Sequence, residues 1–499
     1  MRGVLSVLAA AVCLVAGAAS GAVPAASDGP QAAAIVLVDQ ASLRAAPRDS
    51  AQQQAQLWSG ELLEVRGERL DYLQVYDHKR ERGGFIKASQ VRRTSLAATE
   101  AADLLAVVRF VRDAGGSDAL GIGMTAAYLQ AAPAESLRGK EGVEAFDALG
   151  TMADRLAHRA SFGASLSKSA QATLAAHLDV ASRYGIAFKT YEREGRMQIC
   201  YEGDAFRRVL AMESNAQQKA RAALALTRPE CVDPSLRPLE RAQVDEWRAQ
   251  VLQRVDATAL PGYLKNRVLM RRAGLWSALA YARARQGLAA DIAAQHALGD
   301  LGSVVKAELT DVDLPAYTEA AIRTNASRWA AAAAPSPAAG GLHIETATGQ
   351  PGETCVLLVD AKNDATRPLA KRCTYSLVWA QSASVNREGT ALALAVQPME
   401  AWRELWVFRK QAKGWTIDVL PPATTQPEVG YAEFAGWVPG GQQVLVAREA
   451  RGEGKTQRSF EVVRLASLTT ERRSGDAASL GAFQRWRDPA WKRASLSLR

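Results

Sequence analysis

The spacing of apolar residues changes period twice along this chain, and each change excludes a single repeating architecture. Residues 34 to 93 read as short strands. Ala34 to Val38 is an apolar run, and Leu62, Val65, Tyr72, Leu73, Val75 and Tyr76 follow, punctuated by Gly60, Gly67, Gly83 and Gly84. Short strands at this spacing predict a small barrel. From Thr99 the period becomes helical: Leu104, Val107, Val108 and Val111 share one face, and Gly115-Gly116 ends that helix. Further helices are predicted over 141–159, 166–184, 204–226, 238–256, 264–286 and 312–332. One hairpin interrupts them, formed by Ile186 to Glu192 and Arg196 to Tyr201 about a turn at Gly195. Ala330 to Gly341, with Pro335 and Pro337, reads as a linker. The strands beyond it carry seven of the eleven tryptophans. The expected fold is multidomain α+β. It has a small N-terminal β-barrel (33–94), a mostly helical domain with one hairpin (95–329), a linker (330–341) and an antiparallel β domain of blade-like repeats (342–499).

The chain opens with Arg2, an apolar run from Val4 to Ala19 broken only by Ser6 and Gly17, and small residues to Ala22. That order predicts a secretory signal peptide over 1–22, cleaved near Ala22. The competing reading is an uncleaved anchor, but the run falls short of the ~20 residues a spanning helix needs. Cys13 follows Val12 rather than a small residue, against lipidation. No later segment is apolar enough to span a membrane. The expected location is the periplasm of a Gram-negative bacterium or its surroundings. Four cysteines remain after cleavage, and an even number in an exported chain argues for disulfides. Their order separates them into two local couples, Cys200–Cys231 and Cys355–Cys373. Neither couple has zinc-ligand spacing. The net charge of +9 is mild for 499 residues. It suits anionic envelope polymers. Nucleic acid is not expected as a partner, because no basic stripe carries interleaved aromatics.

Ser42-Leu43-Arg44-Ala45-Ala46-Pro47, Leu57 to Val65 with Gly60, Asp71 to Val75, and Gly84-Phe85-Ile86-Lys87 together resemble bacterial Src-homology-3-like domains across about sixty residues. Tyr72 and Phe85 stand where that family has tryptophans, and the glycine after Ala45 is missing. The resemblance implies a module that binds cell-wall peptides or protein partners. In the C-terminal part, Gly389 and Gly441 open two similar segments 52 residues apart. Trp437-Val-Pro-Gly-Gly-Gln-Gln-Val is similar to the strand entry of TolB-type beta-propeller blades, with Gly440 in place of an aspartate. Only about two and a half blades fit, whereas a closed propeller wants four or more. An open antiparallel sheet or a sandwich of such units is therefore expected.

Candidate chemistry is sparse. Ser165-Leu166-Ser167-Lys168 matches the S-x-x-K pattern of serine penicillin-recognising enzymes, yet its S-D-N and K-T-G partners are absent. The plainer reading is a helix start capped by Ser161 or Ser165. His78, His158, His177, His296 and His343 form no metal-binding pair. No cofactor motif is present. Binding is expected to rest on Trp58, Tyr72, Tyr76 and Phe85, aromatics of the small barrel, with Lys87 at its basic tip. The function these readings favour is an exported binding or scaffold protein of the cell envelope, attached through the barrel to peptidoglycan or a protein partner. The alternative is an envelope hydrolase that uses the barrel for targeting.

Overall fold

The computed structural model describes residues 32–193, 195–333, 341–424, 428–452 and 455–494. The signal-peptide segment, and most of the linker, lie outside them. Seven strands come first: β1 (Ala33–Val36), β2 (Ala41–Arg44), β3 (Gln53–Leu57), β4 (Leu62–Arg69), β5 (Tyr72–Asp77), β6 (Arg82–Lys87) and β7 (Val91–Thr94). They form one sheet in the order β3-β2-β6-β5-β4-β1-β7. Leu57 on one edge and Val91 on the other share a core with Leu43, Leu63, Leu73, Val75 and Ile86, so the sheet curls around its own apolar face. The edges β3 and β7 do not pair, and the expected closed barrel is corrected to an open, curled sheet. Helices supply part of the burial that closure would give: Ile35 of β1 packs among helical side chains.

The helical body comprises α1 (Ala101–Arg112), α2 (Asp118–Ala131), α3 (Ala134–Arg138), α4 (Lys140–Ser161) and α5 (Lys168–Arg183), then the hairpin β8 (Phe188–Arg193) and β9 (Arg196–Tyr201). It continues with α6 (Asp204–Ala211), α7 (Ala216–Leu226), α8 (Pro238–Gln253), α9 (Gly262–Arg285), α10 (Asp291–Gly302) and α11 (Leu314–Ser327). The helix expected over 204–226 is two helices. Asn215 accepts from the Gln218 backbone while the Gln218 side chain returns the bond, a capping box that restarts the chain as α7. The S-x-x-K segment is a helix start, but the cap is Ser167 rather than Ser161 or Ser165. Ser161 instead bonds to both backbone groups of Ile199, tying α4 to the hairpin.

Two glycines let the N-terminal sheet sit on these helices. Gly60 has φ +90°, and a β-carbon there would lie 2.2 Å from the Ala119 carbonyl oxygen. A β-carbon on Gly123 would meet the Gly60 carbonyl at 2.4 Å. Around this contact Asp39 accepts from the Ser59 hydroxyl at 2.7 Å and lies 2.8 Å from His177 Nε2. Lys79 reaches Asp179 at 2.6 Å. Gly60→Ala combines an unfavourable φ with a collision against backbone, so it is expected to lower stability by ~1–3 kcal/mol. Urea denaturation checks this, and an unchanged midpoint would count against the contact.

The C-terminal part opens with β10 (His343–Thr348), β11 (Thr354–Val359) and β12 (Ala370–Thr374), a sheet in that order. A larger sheet follows: β13 (Leu377–Val385), β14 (Ala391–Met399), β15 (Trp402–Gln411), β16 (Gly414–Leu420), β17 (Val429–Val438), β18 (Gln443–Gly452), β19 (Lys455–Arg464) and β20 (Thr470–Ser474). Its order is β13-β14-β15-β17-β18-β19-β20, with β16 also on β15. Short helices α12 (Gly481–Trp486) and α13 (Pro489–Ala494) end the chain. Gly389 and Gly441, with φ +65° and +63°, turn the chain before β14 and β18, each of which opens an antiparallel meander. The two meanders share one sheet, joined by the parallel pairing of Trp402 with Gly430 and Arg403 with Tyr431.

This sheet is fastened to the helical body by charge as well as apolar contact. Arg403, fully buried on β15, pairs with Glu433 on β17 and donates to the Asn325 carbonyl at 2.8 Å. Arg328, just after α11, reaches the other oxygen of Glu433 at 2.5 Å. Beside them Ile322 packs with Ala401, Val429 and Tyr431. Both cysteine couples are joined. Cys200–Cys231 bridges β9 to the loop before α8, and Cys355–Cys373 links directly opposed residues of β11 and β12.

Candidate functional site

Strand alternation brings four of the five expected binding residues to one place. On β5 and β6, Tyr72 opposes Lys87, Gln74 opposes Phe85 and Tyr76 opposes Gly83. Leu73, Val75 and Ile86 point the other way, into the core, so Tyr72, Tyr76, Phe85 and Lys87 lie on the outer face. Tyr72 is not available as a contact surface there. It is 3% exposed, and its hydroxyl donates to Asp49 at 2.7 Å. Lys87 is paired with the same Asp49 at 2.8 Å. Tyr76 lies under the Arg66 guanidinium at 3.9 Å and beside His78. Trp58 sits elsewhere, edge-on to His177 where the sheet meets the helices. Ser59 donates its hydroxyl to Asp39 at 2.7 Å, and His177 Nε2 lies 2.8 Å from the same carboxylate oxygen and 3.5 Å from the serine Oγ, so the three groups form one closed cluster where the sheet meets the helices.

A second site was not anticipated from the sequence. A cavity of about 740 Å³ opens among the helices, with Glu400 of the β14–β15 turn at its border. That size suits a small organic ligand. Its walls come from α4 (Thr151, Asp154), α6 and α7 (Phe206, Arg221, Leu224), the loop at Arg228 to Glu230, and α8 (Arg241, Asp245, Arg248). They are completed by α9 (Leu264 to Ala278), α11 (Glu319, Arg323) and Glu400 from the turn between β14 and β15. Seven arginines and six carboxylates line it. Cys200–Cys231 pins one wall, because Cys231 directly follows Glu230.

Six of the seven arginines have a carboxylate partner. Arg221 pairs with Asp147, Arg228 with Asp154, Arg241 and Arg248 with Asp245, Arg267 with Asp313, and Arg323 with Glu319 and Glu400. Arg271 has none within ion-pair distance among the described residues. It donates to the carbonyls of Thr227, at 2.6 Å, and Leu224, at 3.3 Å. Burial pushes its guanidinium down to about 10. Arg271 is half-buried, and a partly desolvated cation with only neutral acceptors is under-compensated, so an incoming anion would be favoured there. Burial also lifts Asp154 to about 6, against the opposing charge of Arg228 at 2.8 Å. One turn along α4, burial and then Arg228 hold His158 below its ordinary value.

Apolar groups fill the rest of the wall: Phe206, Leu224, Leu264, Met270 and Leu275. Gly274, inside α9 and three residues after Arg271, has nothing within 4 Å of where a β-carbon would be. The only described group of metal-type ligands, Glu353 with Cys355 and Cys373, has its two sulfurs joined to each other. No described helix is long and apolar enough to cross a membrane. Comparison with protein-family models, with curated proteins and with solved structures gives no match.

Proposed function

We propose that this chain is an exported binding protein of the bacterial cell envelope. Its helical body, with Glu400 from the C-terminal part at the border, holds a small anionic ligand. The outer face of the N-terminal sheet serves for attachment to peptidoglycan or an envelope protein. The observation that carries the reading is the arginine-lined cavity, in which one half-buried cation, Arg271, has no carboxylate partner among the described residues. Two disulfides support an oxidising compartment. A hydrolase is the second reading, favoured by Asp154, whose carboxyl at about 6 suits a general acid.

Native mass spectrometry of protein purified from the periplasm tests the proposal. Wild type is expected to carry a low-molecular-weight adduct that Gly274→Leu, with its cavity filled, lacks. An adduct retained in full by Gly274→Leu would overturn it. The adduct returned unchanged after incubation speaks for binding, and its cleavage for the hydrolase. The affinity should also depend on pH. Asp154, faced by Arg228, Glu230, Arg271 and His158, is neutral below about 6 and adds negative charge to the cavity above it. Affinity for an anion should therefore fall roughly tenfold between pH 5 and 7.5, equivalent to ~1.4 kcal/mol. A flat calorimetric profile would count against Asp154 facing the ligand.

A further inference from the structure

We infer that the ligand is an amphipathic organic acid, with its single anionic head at Arg271 and its apolar body in the space beside Gly274. The inference rests on the reading of the cavity as a ligand chamber and adds the class of molecule. Charge argues for one anionic head. Six lining arginines each have a carboxylate partner in place, and only Arg271 has neutral acceptors alone. The two acids whose charge reaches it most strongly are Glu230 and Glu319. Glu319 is held by Arg323 at 3.0 Å and Arg451 at 2.8 Å, and Glu230 lies 3.9 Å from Arg228. Neither lies within ion-pair distance of Arg271 among the described residues, so an anionic head from outside the chain would be its first charged partner.

Shape argues for the apolar body. An inorganic anion would fill little of a 740 Å³ cavity. Arg267, Arg271, Gly274 and Ala278 follow one another at three- and four-residue intervals along α9, so they form one stripe facing the cavity. Glycine in a helix interior is less favourable than alanine. Here it leaves room one turn from the unpartnered cation. Leu224, Met270 and Leu275 add hydrocarbon to the lining of the same cavity. Val312, which also lines the cavity, is 80% exposed and marks its open side.

Isothermal titration calorimetry on the full mature chain tests this with decanoate and 1-naphthaleneacetate as probes. Decanol serves as the neutral body, and acetate and inorganic phosphate as heads without a body. Both amphipathic acids are expected to bind at least tenfold more tightly than decanol, acetate or phosphate. Arg271→Met, which keeps bulk and removes charge, should weaken the acids at least tenfold and leave decanol unchanged. Gly274→Leu should weaken acids and decanol together. Arg271→Lys should restore part of the acid affinity, and circular dichroism shows whether each variant is folded. Equal binding of acids and decanol, indifferent to Arg271→Met but sensitive to Gly274→Leu, would overturn the acid assignment and leave the chamber standing. Phosphate binding that matches the acids would overturn the apolar body. Failure of every probe, together with no adduct on the purified protein, would sink the chamber itself.

Discussion

Glu433→Gln is expected to lower stability by ~3–5 kcal/mol, because it strands two guanidiniums in the interior. Arg403 is fully buried, and Glu433 is 2% exposed between it and Arg328. Burial alone would raise the Glu433 carboxyl; the charges of Arg328 and Arg403 outweigh it and hold the group below its ordinary value. The sign follows. A carboxylate depressed in the folded state contributes stability above its unfolded value of ~4.3 and loses it as pH falls through the folded value. The difference between wild type and variant should therefore be full at neutral pH and shrink in acid. Guanidinium denaturation at pH 7 and pH 3.5 measures both. The ion triad joins strands of the C-terminal sheet to the segment after α11. Its loss should thus be felt by tryptophans in both parts. A neutral-pH effect below about 1 kcal/mol would mean that the triad is hydrated or absent.

Replacing Cys200 and Cys231 together by serine is expected to cost ~3–4 kcal/mol in the chain-entropy account of a cross-link spanning 31 residues. It should also weaken ligand binding, because the loop that presents Arg228 and Glu230 to the cavity is held by Cys231. The matching control is the Cys355–Cys373 pair. It should cost ~3 kcal/mol for 18 residues and leave affinity unchanged, since neither partner lines the cavity. Denaturation and calorimetry on both double variants separate the outcomes. Equal losses of affinity would show that the bridges act only through global stability.

These elements differ in how openly the sequence carried them. The cysteine couples were legible because their partners are near neighbours in the chain. The hairpin was legible from Gly195, which takes φ +72° at the turn. The outer-face position of Tyr72, Tyr76, Phe85 and Lys87 follows from alternation alone. That Tyr72 is covered does not, because Asp49 arrives from another strand connection. The split of 204–226 was readable in Asn215 and Gln218, whose mutual bonds need only three residues. The open edge between β3 and β7 was not, since what covers an edge is decided by distant chain. The cavity was hidden most fully. Arginine is abundant throughout, so Arg221, Arg228, Arg241, Arg248, Arg267, Arg271 and Arg323 looked like compositional background. Their ion pairs link helices far apart in sequence, as Arg221 with Asp147 and Arg267 with Asp313 do. One local signal was present: Arg271 followed by a glycine three residues on, inside a long helical stretch.

The walls of the cavity also impose an order of events. The earliest lining residue is Thr151 and the latest is Glu400, whose carboxylate closes on Arg323 at 2.6 Å. A chain threading outward from its N-terminus presents the helical walls first and the last acid only when some four fifths of its length has emerged. Contacts that distant in sequence form late and slowly. Until then Arg323 lacks one of its two partners and the hollow is open on that side. A proteolytic fragment ending before 400 keeps Arg271 and Gly274 in their helix but lacks Glu400, the second partner of Arg323. Such a fragment should show helix by circular dichroism and bind the amphipathic acids more weakly than the full chain.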